Sequence, residues 1–464
     1  MTGARVNGEV SFWYAGLGGP PSYRPALPGD VAADVCIVGA GYTGLWTAYY
    51  LAQAEPALRI VVVEREFAGF GASGRNGGQL TGGLEYNREK YAKARGHEAV
   101  VAMERALRQT VDEVIAVAAR EGIDADIVKG GILRVATNPA QWSRVRHEQR
   151  IGAGWGVAPD EAVLLDRDAT LRRVRVAGAL GSRFQPAAAR IQPAKLARGL
   201  AEAVERLGVS IYERTAVTEL RPAQVVTATG SVRAPLIVRA AEGFTPQLPG
   251  LRRSWLPMNS AMIVTDPLPD RLWDELGWAG FETLGDAAHG YVYAQRTADG
   301  RVAIGGRGVP YRFGSRTDNA GRTQDATIAM LGVMLGRLFP PLRGAPIAHA
   351  WCGVLGVPRD WCATVGLDRR TGAAWAGGYV GLGLASSNLA GRTLRDLILD
   401  RETALTALPW VDRTVRTWEP EPLRWLGVHS LYRIYRAADA LERRRRSART
   451  SGLARFADAV AGRK

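Results

Sequence analysis

The chain alternates between short apolar runs and stretches whose apolar residues recur every three or four positions. Runs rich in apolar residues at 34–38, 60–63 and 131–136 predict strands, because short apolar segments bounded by polar or glycine positions fit a buried strand. Apolar residues at helical spacing within 85–122, and from Pro193 to Leu207, predict helices. Strands that alternate with helices in this way predict an α/β fold.

The rest of the chain follows other patterns. Residues 250 to 345 are rich in strand-like segments, and a helix is expected from about Ala385 to Leu399. Residues 423–462 have a helical and basic pattern. The first thirty residues are rich in proline, glycine and aromatic side chains, which predicts an irregular arm lying over the surface.

The first predicted strand runs directly into a glycine-rich turn, Gly39-Ala40-Gly41-Tyr42-Thr43-Gly44. Gly39 permits the tight turn, Gly41 lets the backbone approach a pyrophosphate, and Gly44 lets the following helix pack closely on the strand. The helix expected to start near Tyr42 would hold the pyrophosphate on its unpaired N–H groups and the positive end of its dipole. The turn therefore predicts a dinucleotide site.

The second strand strengthens that prediction, since a glycine turn alone is a weak signal. It ends on Glu64, twenty residues after Gly44, where a carboxylate can accept hydrogen bonds from ribose hydroxyls. The same carboxylate would repel a 2′-phosphate. FAD or NAD(H) is therefore favoured over NADP(H).

A glycine-rich loop follows the second strand, reading Gly69-Phe70-Gly71-Ala72-Ser73-Gly74-Arg75-Asn76-Gly77-Gly78-Gln79. Its small residues let the backbone lie against a flat ring, while Arg75 and Asn76 can donate hydrogen bonds to ring edges or substrate. This loop resembles, almost residue for residue, the flavin loop of the FAD-dependent D-amino-acid oxidase-like superfamily. The resemblance is greatest to its γ-glutamylputrescine oxidase-like branch, and it extends over about residues 10 to 410.

The resemblance implies FAD as cofactor and a glutathione-reductase-like FAD domain of Rossmann type. It also implies a second flavin element at residues 376–385, where a helix N-terminus would stabilise negative charge on the reduced ring. The expected cofactor-binding residues are Gly39, Gly41, Tyr42, Thr43, Gly44, Glu64, Arg65, Ala72, Ser73, Gly74, Gly78, Gln79, Val217, Gly381, Gly383 and Leu384.

The activity that the resemblance implies is oxidation of a C–N bond in an amine or amino-acid derivative, with oxygen or an electron carrier as acceptor. The expected catalytic residues are Arg75, Asn76 and Arg307. Each has an alternative role: Arg75 and Asn76 could instead cap carbonyls of their own loop, and Arg307 could be a surface residue. Tyr291 and Tyr293, on one face of a strand, could line the pocket or fill the core.

The same resemblance suggests how the domains are divided. An FAD-binding domain and a mixed-sheet substrate domain are expected to alternate along the chain, between an N-terminal arm and a basic tail. The expected boundaries are 1–30 for the arm, 31–84, 180–248 and 346–410 for the FAD-binding domain, 85–179 and 249–345 for the substrate domain, and 411–464 for the basic helical C-terminal region.

Two positions depart from relatives within the superfamily. Amino-acid-oxidising members often carry an arginine four residues after the tryptophan matching Trp351, where it grips the substrate carboxylate, but this chain has Leu355. Arg359 could compensate. Some sarcosine-oxidase-like relatives join a cysteine in this region covalently to the flavin. The residues around Cys352 resemble the untethered branch, so a free thiol is expected.

Composition limits the remaining possibilities. Three scattered cysteines exclude a disulfide framework, and neither cysteine nor histidine spacing predicts a metal site. The uncharged stretch 35–54 is explained better by strand, turn and helix than by a membrane span, and a cytoplasmic location is expected. The net charge of +15 includes +7 from eleven basic and four acidic residues in 421–464. Binding of RNA or a membrane by this tail is the rival function, although nucleic acid is not the expected partner.

Overall fold

A six-stranded sheet, here called the dinucleotide sheet, carries the glycine turn. The computed structural model describes residues 3–84, 86–318 and 320–463. All neighbouring strands of this sheet are parallel except the last pair. In spatial order the strands are Ser210–Tyr212, Ile60–Val63, Val35–Val38, Leu236–Arg239, Ala373–Gly377 and Thr364–Asp368. The central strands Val35–Val38 and Ile60–Val63 are buried throughout, as is usual for strands covered on both faces.

Four long helices pack around this sheet and form the largest hydrophobic core. Close packing between two of them depends on Gly391, where an added Cβ would lie 2.8 Å from the backbone of Trp46. The alternation of strands and helices predicted from the sequence is thus present, and the α/β class is confirmed. The four helices are Tyr42–Ala54, His97–Arg120, Pro193–Arg206 and Gly383–Ile398.

A nine-stranded mixed sheet, here called the large sheet, lies on the other side of the molecule's main cavity. Its longest pair, Trp255–Thr265 and Ile347–Pro358, is antiparallel. The strands in order are Val6–Asn7, Ile347–Pro358, Trp255–Thr265, Val302–Gly306, Val292–Arg296, Thr283–Asp286, Ile132–Ala136, Gly181–Gln185 and Val163–Asp166.

Smaller elements complete the fold. A four-stranded sheet contains Val217–Arg221, Gln224–Thr227, Ser231–Arg233 and Val31–Ala32. A two-stranded sheet contains Gln79–Thr81 and Ala188–Arg190. The remaining α-helices are Phe12–Ala15, Arg88–Arg95, Pro139–Gly154, Arg167–Arg173, Asp270–Leu276, Asp325–Leu338, Leu423–Arg445 and Gly452–Ala461. Short 3₁₀ segments occur at Ala72–Gly74, Glu242–Gln247, Phe313–Ser315 and Pro340–Leu342. In the described ranges, none of the helices has the length and apolar character that a membrane span requires.

The structure refines three sequence predictions. The helical stretch 85–122 is two helices, because Gly96 at a φ of +85° interrupts the chain between them. The basic C-terminal stretch is also two helices, Leu423–Arg445 and Gly452–Ala461, here called the C-terminal helix pair. The helix expected from about residue 385 begins at Gly383.

The N-terminal arm is more ordered than predicted. Residues Val6–Asn7 add a strand to the edge of the large sheet, and Trp13 and Tyr14 are buried rather than lying over the surface. Trp13 donates from its indole N–H to the carbonyl of Asn76 over 2.8 Å. Gly74 leaves room for the Tyr14 ring, since a Cβ there would lie 2.4 Å from that ring. The two aromatics therefore support the glycine-rich loop from behind.

Candidate active site

A cavity of about 960 Å³ lies between the dinucleotide sheet and the large sheet. Its walls include the ends of the parallel strands at Val38 and Val63, the loop 70–77, and the segment Tyr379–Leu384. Tyr291, Tyr293 and Arg307 line it from the large sheet. Ligands of open α/β sheets bind beyond the carboxyl ends of the strands, so this is the expected place for a cofactor.

The glycine turn has the geometry that a pyrophosphate requires. Gly39 has a φ of +108°, and a Cβ there would lie 2.8 Å from the carbonyl oxygen of Ala240. Gly41 lines the cavity, next to the N-terminus of helix Tyr42–Ala54. The backbone N–H of Tyr42 donates to Oγ of Ser73 over 2.8 Å, which joins the turn to the glycine-rich loop. Both elements are thus fixed around the same part of the cavity.

Gly44 has a packing role instead of a lining role. A Cβ at Gly44 would lie 2.0 Å from the carbonyl oxygen of Gly39, so no other residue fits between turn and helix. The neighbouring Thr43 lines the cavity, and its Oγ1 lies 3.0 Å from the hydroxyl of Tyr379. This contact links the first helix to the segment that leads into helix Gly383–Ile398.

Glu64 lies where ribose hydroxyls are expected. Its Oε2 accepts the N–H of Ala40 over 2.8 Å, and its Oε1 accepts the N–H of Glu66 over 3.0 Å. Burial raises the pKa of Glu64, and these two amides oppose that effect. Each carboxylate oxygen has a further lone pair, so the group can also accept from a ligand. Arg65 and Val217 line the cavity on the same side.

Arg75 lines the cavity but directs its described hydrogen bonds at carbonyls. Its Nε donates to the carbonyl of Phe70 over 2.8 Å, and Nη1 lies 3.3 Å from the carbonyl of Asp318. The guanidinium also lies 4.2 Å from the centre of the Phe70 ring. Burial lowers the pKa of Arg75 to about 10, so it stays charged at neutral pH. These contacts match the loop-capping alternative.

Asn76 has a similar arrangement. Its Nδ2 donates to the carbonyl of Ser73 over 2.9 Å, and its Oδ1 accepts the N–H of Gly78 over 2.7 Å. Gly78 has a φ of +64° and, like Gly74, supports the loop without lining the cavity. Ala72 and Gln79 both line it.

A second helix N-terminus faces the cavity at Gly383–Ile398. Gly381, with a φ of +114°, together with Gly383 and Leu384, lines the cavity at this point. The unpaired N–H groups of the first helical turn and the helix dipole favour negative charge there. A ring that becomes anionic on reduction would be stabilised at this end.

Cys352 does not line the cavity, although its neighbour Gly353 does. The thiol is buried, and burial raises its pKa to about 11. A protonated thiol is a poor nucleophile. Arg359, the residue that could have compensated for Leu355, is also outside the cavity, with its Nε 3.0 Å from Glu419.

Arg307 lines the cavity among tyrosines and is half-buried. Its Nη1 lies 3.4 Å from the carbonyl oxygen of Asn259. Burial alone would lower the pKa of Arg307, but neighbouring tyrosine hydroxyls, with Tyr291 foremost, outweigh burial and raise it. Tyr293 is fixed by a 2.8 Å hydrogen bond between its hydroxyl and Oγ of Ser260. Both tyrosines line the cavity.

Glu242 is a cavity residue that the sequence reasoning missed. Burial raises its pKa to about 7, although the backbone N–H of Gly378, among others, donates to it over 2.9 Å. The available signal was its position just beyond the apolar run of strand Leu236–Arg239. An acid at such a strand end is a candidate site residue.

The C-terminal helix pair also reaches the cavity, which the sequence did not indicate. Arg455, Asp458 and Arg463 line it. Glu442 anchors the pair: it is 3% exposed, binds Arg144 over 2.9 Å and lies 3.0 Å from Nε2 of His289. The basic tail is therefore packed against the enzyme body, and the run 443–446 is its exposed edge.

His289, Asp439 and Glu442 have ligand atoms within 4.8 Å of one another. Their oxygen atoms already have partners, since Asp439 accepts the N–H groups of His289 and Gly290 over 2.9 Å each. Glu442 is bound by Arg144. These hydrogen bonds and the ion pair explain the cluster as the contact that holds the C-terminal helix pair on the rest of the molecule.

Together, the two helix N-termini and the acid at the second strand end form a site of the kind found in flavin-dependent oxidoreductases. The chain belongs to the family described as FAD dependent oxidoreductase, or DAO, whose model matches residues 34–397. The family is FAD-dependent, and the glycine turn, Glu64 and the 960 Å³ cavity fit that cofactor.

Comparison with curated proteins gives similar relatives. The chain is 30% identical over 410 residues to γ-glutamylputrescine oxidoreductase of Escherichia coli strain K12, covering 86% of this chain and 92% of the relative. It is 25% identical to glycine oxidase of Geobacillus kaustophilus, covering 81% and 96%. The crystal structure of glycine oxidase from Geobacillus kaustophilus superposes with a TM-score of 0.70 at 22% identity, over 82% of this chain and 98% of that one. The resemblance of the flavin loop to that of the D-amino-acid oxidase-like superfamily is therefore confirmed.

Proposed function

We propose that the protein oxidises a C–N bond of an amine that is chemically similar to a γ-glutamyl polyamine. The observation that carries this proposal is the cavity itself, which continues from the glycine turn past helix Gly383–Ile398 to a group of tyrosines and arginines. The similarity to γ-glutamylputrescine oxidoreductase supports the choice of substrate class.

When bound, FAD supplies the hydride acceptor. The hydrogen on the carbon next to nitrogen leaves with its electron pair, the nitrogen lone pair forms the C=N bond, and water hydrolyses the product to a carbonyl compound and an amine. No dedicated general base is needed if the amine binds neutral. The protein must orient the substrate and stabilise the charge that develops on the cofactor.

Different parts of the cavity wall perform the tasks of binding, orientation and charge stabilisation. The helix N-terminus at Gly383 stabilises negative charge, and the glycine turn with Glu64 holds the nucleotide. The loop that contains Arg75 and Asn76 keeps the ring side of the cavity rigid through its carbonyl hydrogen bonds. Tyr291 and Tyr293 form the wall where the substrate would bind.

An anaerobic titration tests the proposal. The purified protein should show flavin absorbance, and addition of γ-glutamylputrescine or a related amine should bleach it. Rapid recovery on admission of air would identify an oxidase, whereas a persistent bleach that an artificial carrier reverses would identify a dehydrogenase. A protein that cannot be loaded with FAD, or whose flavin no amine reduces, would refute the proposal.

A further inference from the structure

Arg307 and Arg463 line the cavity and, unlike Arg88 and Arg108, have no acidic group within ion-pair distance among the described residues. Arg88 and Arg108 each form an ion pair with Glu104. The guanidinium of Arg307 donates to the carbonyl of Asn259, and that of Arg463 donates to the hydroxyl of Tyr86. Nε of Arg463 is buried without a hydrogen-bond partner.

Aromatic rings hold Arg463 in place without neutralising it. Its guanidinium carbon lies 4.6 Å from the centre of the Tyr86 ring, 4.9 Å from Trp361 and 5.1 Å from Tyr435. Tyr86 and Tyr432 influence the pKa of both Arg463 and Arg307. The carboxylate of Asp458, which accepts from the hydroxyl of Tyr435 over 2.7 Å, also raises the pKa of Arg463. Stacking of this kind fixes the plane of a guanidinium while leaving N–H groups for a ligand.

Residues 461–463 are anchored to neighbouring elements, which keeps Arg463 at the cavity wall. The carbonyl of Gly462 accepts from Nζ of Lys90 over 2.7 Å, and that of Ala461 accepts from Arg359 over 3.3 Å. The N–H of Arg463 donates to the carbonyl of Asp458 over 2.9 Å. Since the matched family region ends at residue 397, this part of the cavity wall lies outside it.

We propose that Arg463, together with Arg307, forms an anion-binding subsite that recognises a carboxylate of the substrate. The inference rests on the proposed function and deepens it, because it limits the substrate to amines that carry a carboxylate group. Two partly buried cations that form no ion pair within the described residues attract an anion, and a guanidinium can bind a carboxylate through two parallel hydrogen bonds. Arg463, which lies just beyond helix Gly452–Ala461, would thus be a residue that determines specificity.

Calorimetric titration of the flavin-loaded protein with glutarate, and with its neutral counterpart glutaramide, tests the subsite without turnover. We expect glutarate to bind more tightly than glutaramide. Arg463→Met and Arg307→Met should each weaken glutarate binding about 10- to 100-fold and leave glutaramide unchanged. Arg463→Lys should retain part of the affinity, because it keeps the charge but loses the planar fork. Arg445→Met, on an exposed residue of the C-terminal helix pair, is the matched control and should bind as wild type.

Three results would overturn the proposal of an anion-binding subsite. These are equal binding of glutarate and glutaramide by the wild type, wild-type glutarate affinity in Arg463→Met, or an equal loss in Arg445→Met. Flavin absorbance, measured on each variant, reports whether the cofactor site is intact. Failure of amines to reduce the flavin would contradict the proposed function. The comparison of glutarate with glutaramide measures anion binding by the two arginines and does not depend on turnover.

Discussion

Replacing Glu442 with glutamine should loosen the C-terminal helix pair. The carboxylate of Glu442 is 3% exposed, accepts from Nη1 of Arg144 over 2.9 Å and from the N–H of Ser451 over 2.8 Å, and lies 3.0 Å from Nε2 of His289. Glutamine keeps the shape but removes the charge. One amide oxygen cannot replace two carboxylate oxygens that face three donors.

The magnitude follows from the pKa. Burial would raise the pKa of Glu442, but the hydrogen bonds from His289 and Ser451 and the charge of Arg144 lower it from 4.5 to about 2. The fall from 4.5 to about 2 corresponds to at most about 3–4 kcal/mol. Solvent screening at Arg144, whose side chain is 16% exposed, reduces the expected contribution to about 1–2 kcal/mol. Because the pKa is lower in the folded state, this stability is present above about pH 4.5 and is lost as pH falls toward 2.

Hydrogen exchange of the amides in helix Leu423–Arg445 measures the opening directly. At pH 7 the Glu442→Gln variant should open about 5- to 30-fold more often than wild type. The difference should shrink below pH 4.5, as the wild-type carboxylate becomes protonated. Glu402→Gln, on an exposed residue, is the matched control and should exchange as wild type. Equal opening of wild type and Glu442→Gln at pH 7 would refute this reasoning.

Three further results are expected. Glu64→Ala should weaken FAD binding about 10- to 100-fold, measured by fluorescence titration of the flavin-free protein, because ribose hydroxyls lose their acceptor; unchanged affinity would contradict the assigned role. Gly44→Ala should abolish flavin loading or folding, visible as lost flavin absorbance, since its Cβ would overlap the carbonyl of Gly39 at 2.0 Å. Glu242→Gln should lose less stability than wild type between pH 5 and 8 in chemical unfolding. Because the pKa of Glu242 is raised from 4.5 to about 7, its ionisation costs the folded state at most about 3–4 kcal/mol as pH rises from 4.5 through 7. Parallel pH profiles of the two proteins would contradict this.

The part of the site expected to hold the nucleotide, here called the nucleotide end, could be predicted because its residues follow one another closely in the sequence. The turn from Gly39 to Gly44, the helix that starts at Tyr42 and the acid at Glu64 follow one another within thirty residues. Each backbone requirement there selects its residue type, such as glycine at a positive φ. The structure places these residues together around one cavity, with Gly44 behind the turn.

The substrate end could not be predicted in the same way. Tyr86 and Arg463 are 377 positions apart in the chain, and no local sequence pattern predicts that their side chains are in contact. The basic tail gave only a compositional signal, the excess of positive charge in residues 421–464, which left RNA or membrane binding as the rival function. Its acidic residues were the better guide, since Asp439 and Glu442 within a basic helix hold the tail on the body. Long-range pairing of this kind depends on tertiary structure rather than on sequence periodicity.

The division between these two ends has a functional consequence. The matched family region, 34–397, contains the residues expected to hold the nucleotide, from the glycine turn to the N-terminus of helix Gly383–Ile398. Arg463 enters the same cavity from outside that region. Changes in the C-terminal helix pair can therefore alter which amines bind while the parts that hold FAD stay as they are. On this view, Arg463 variants should change the preference among amines and keep the flavin spectrum, whereas Glu64 variants should do the reverse.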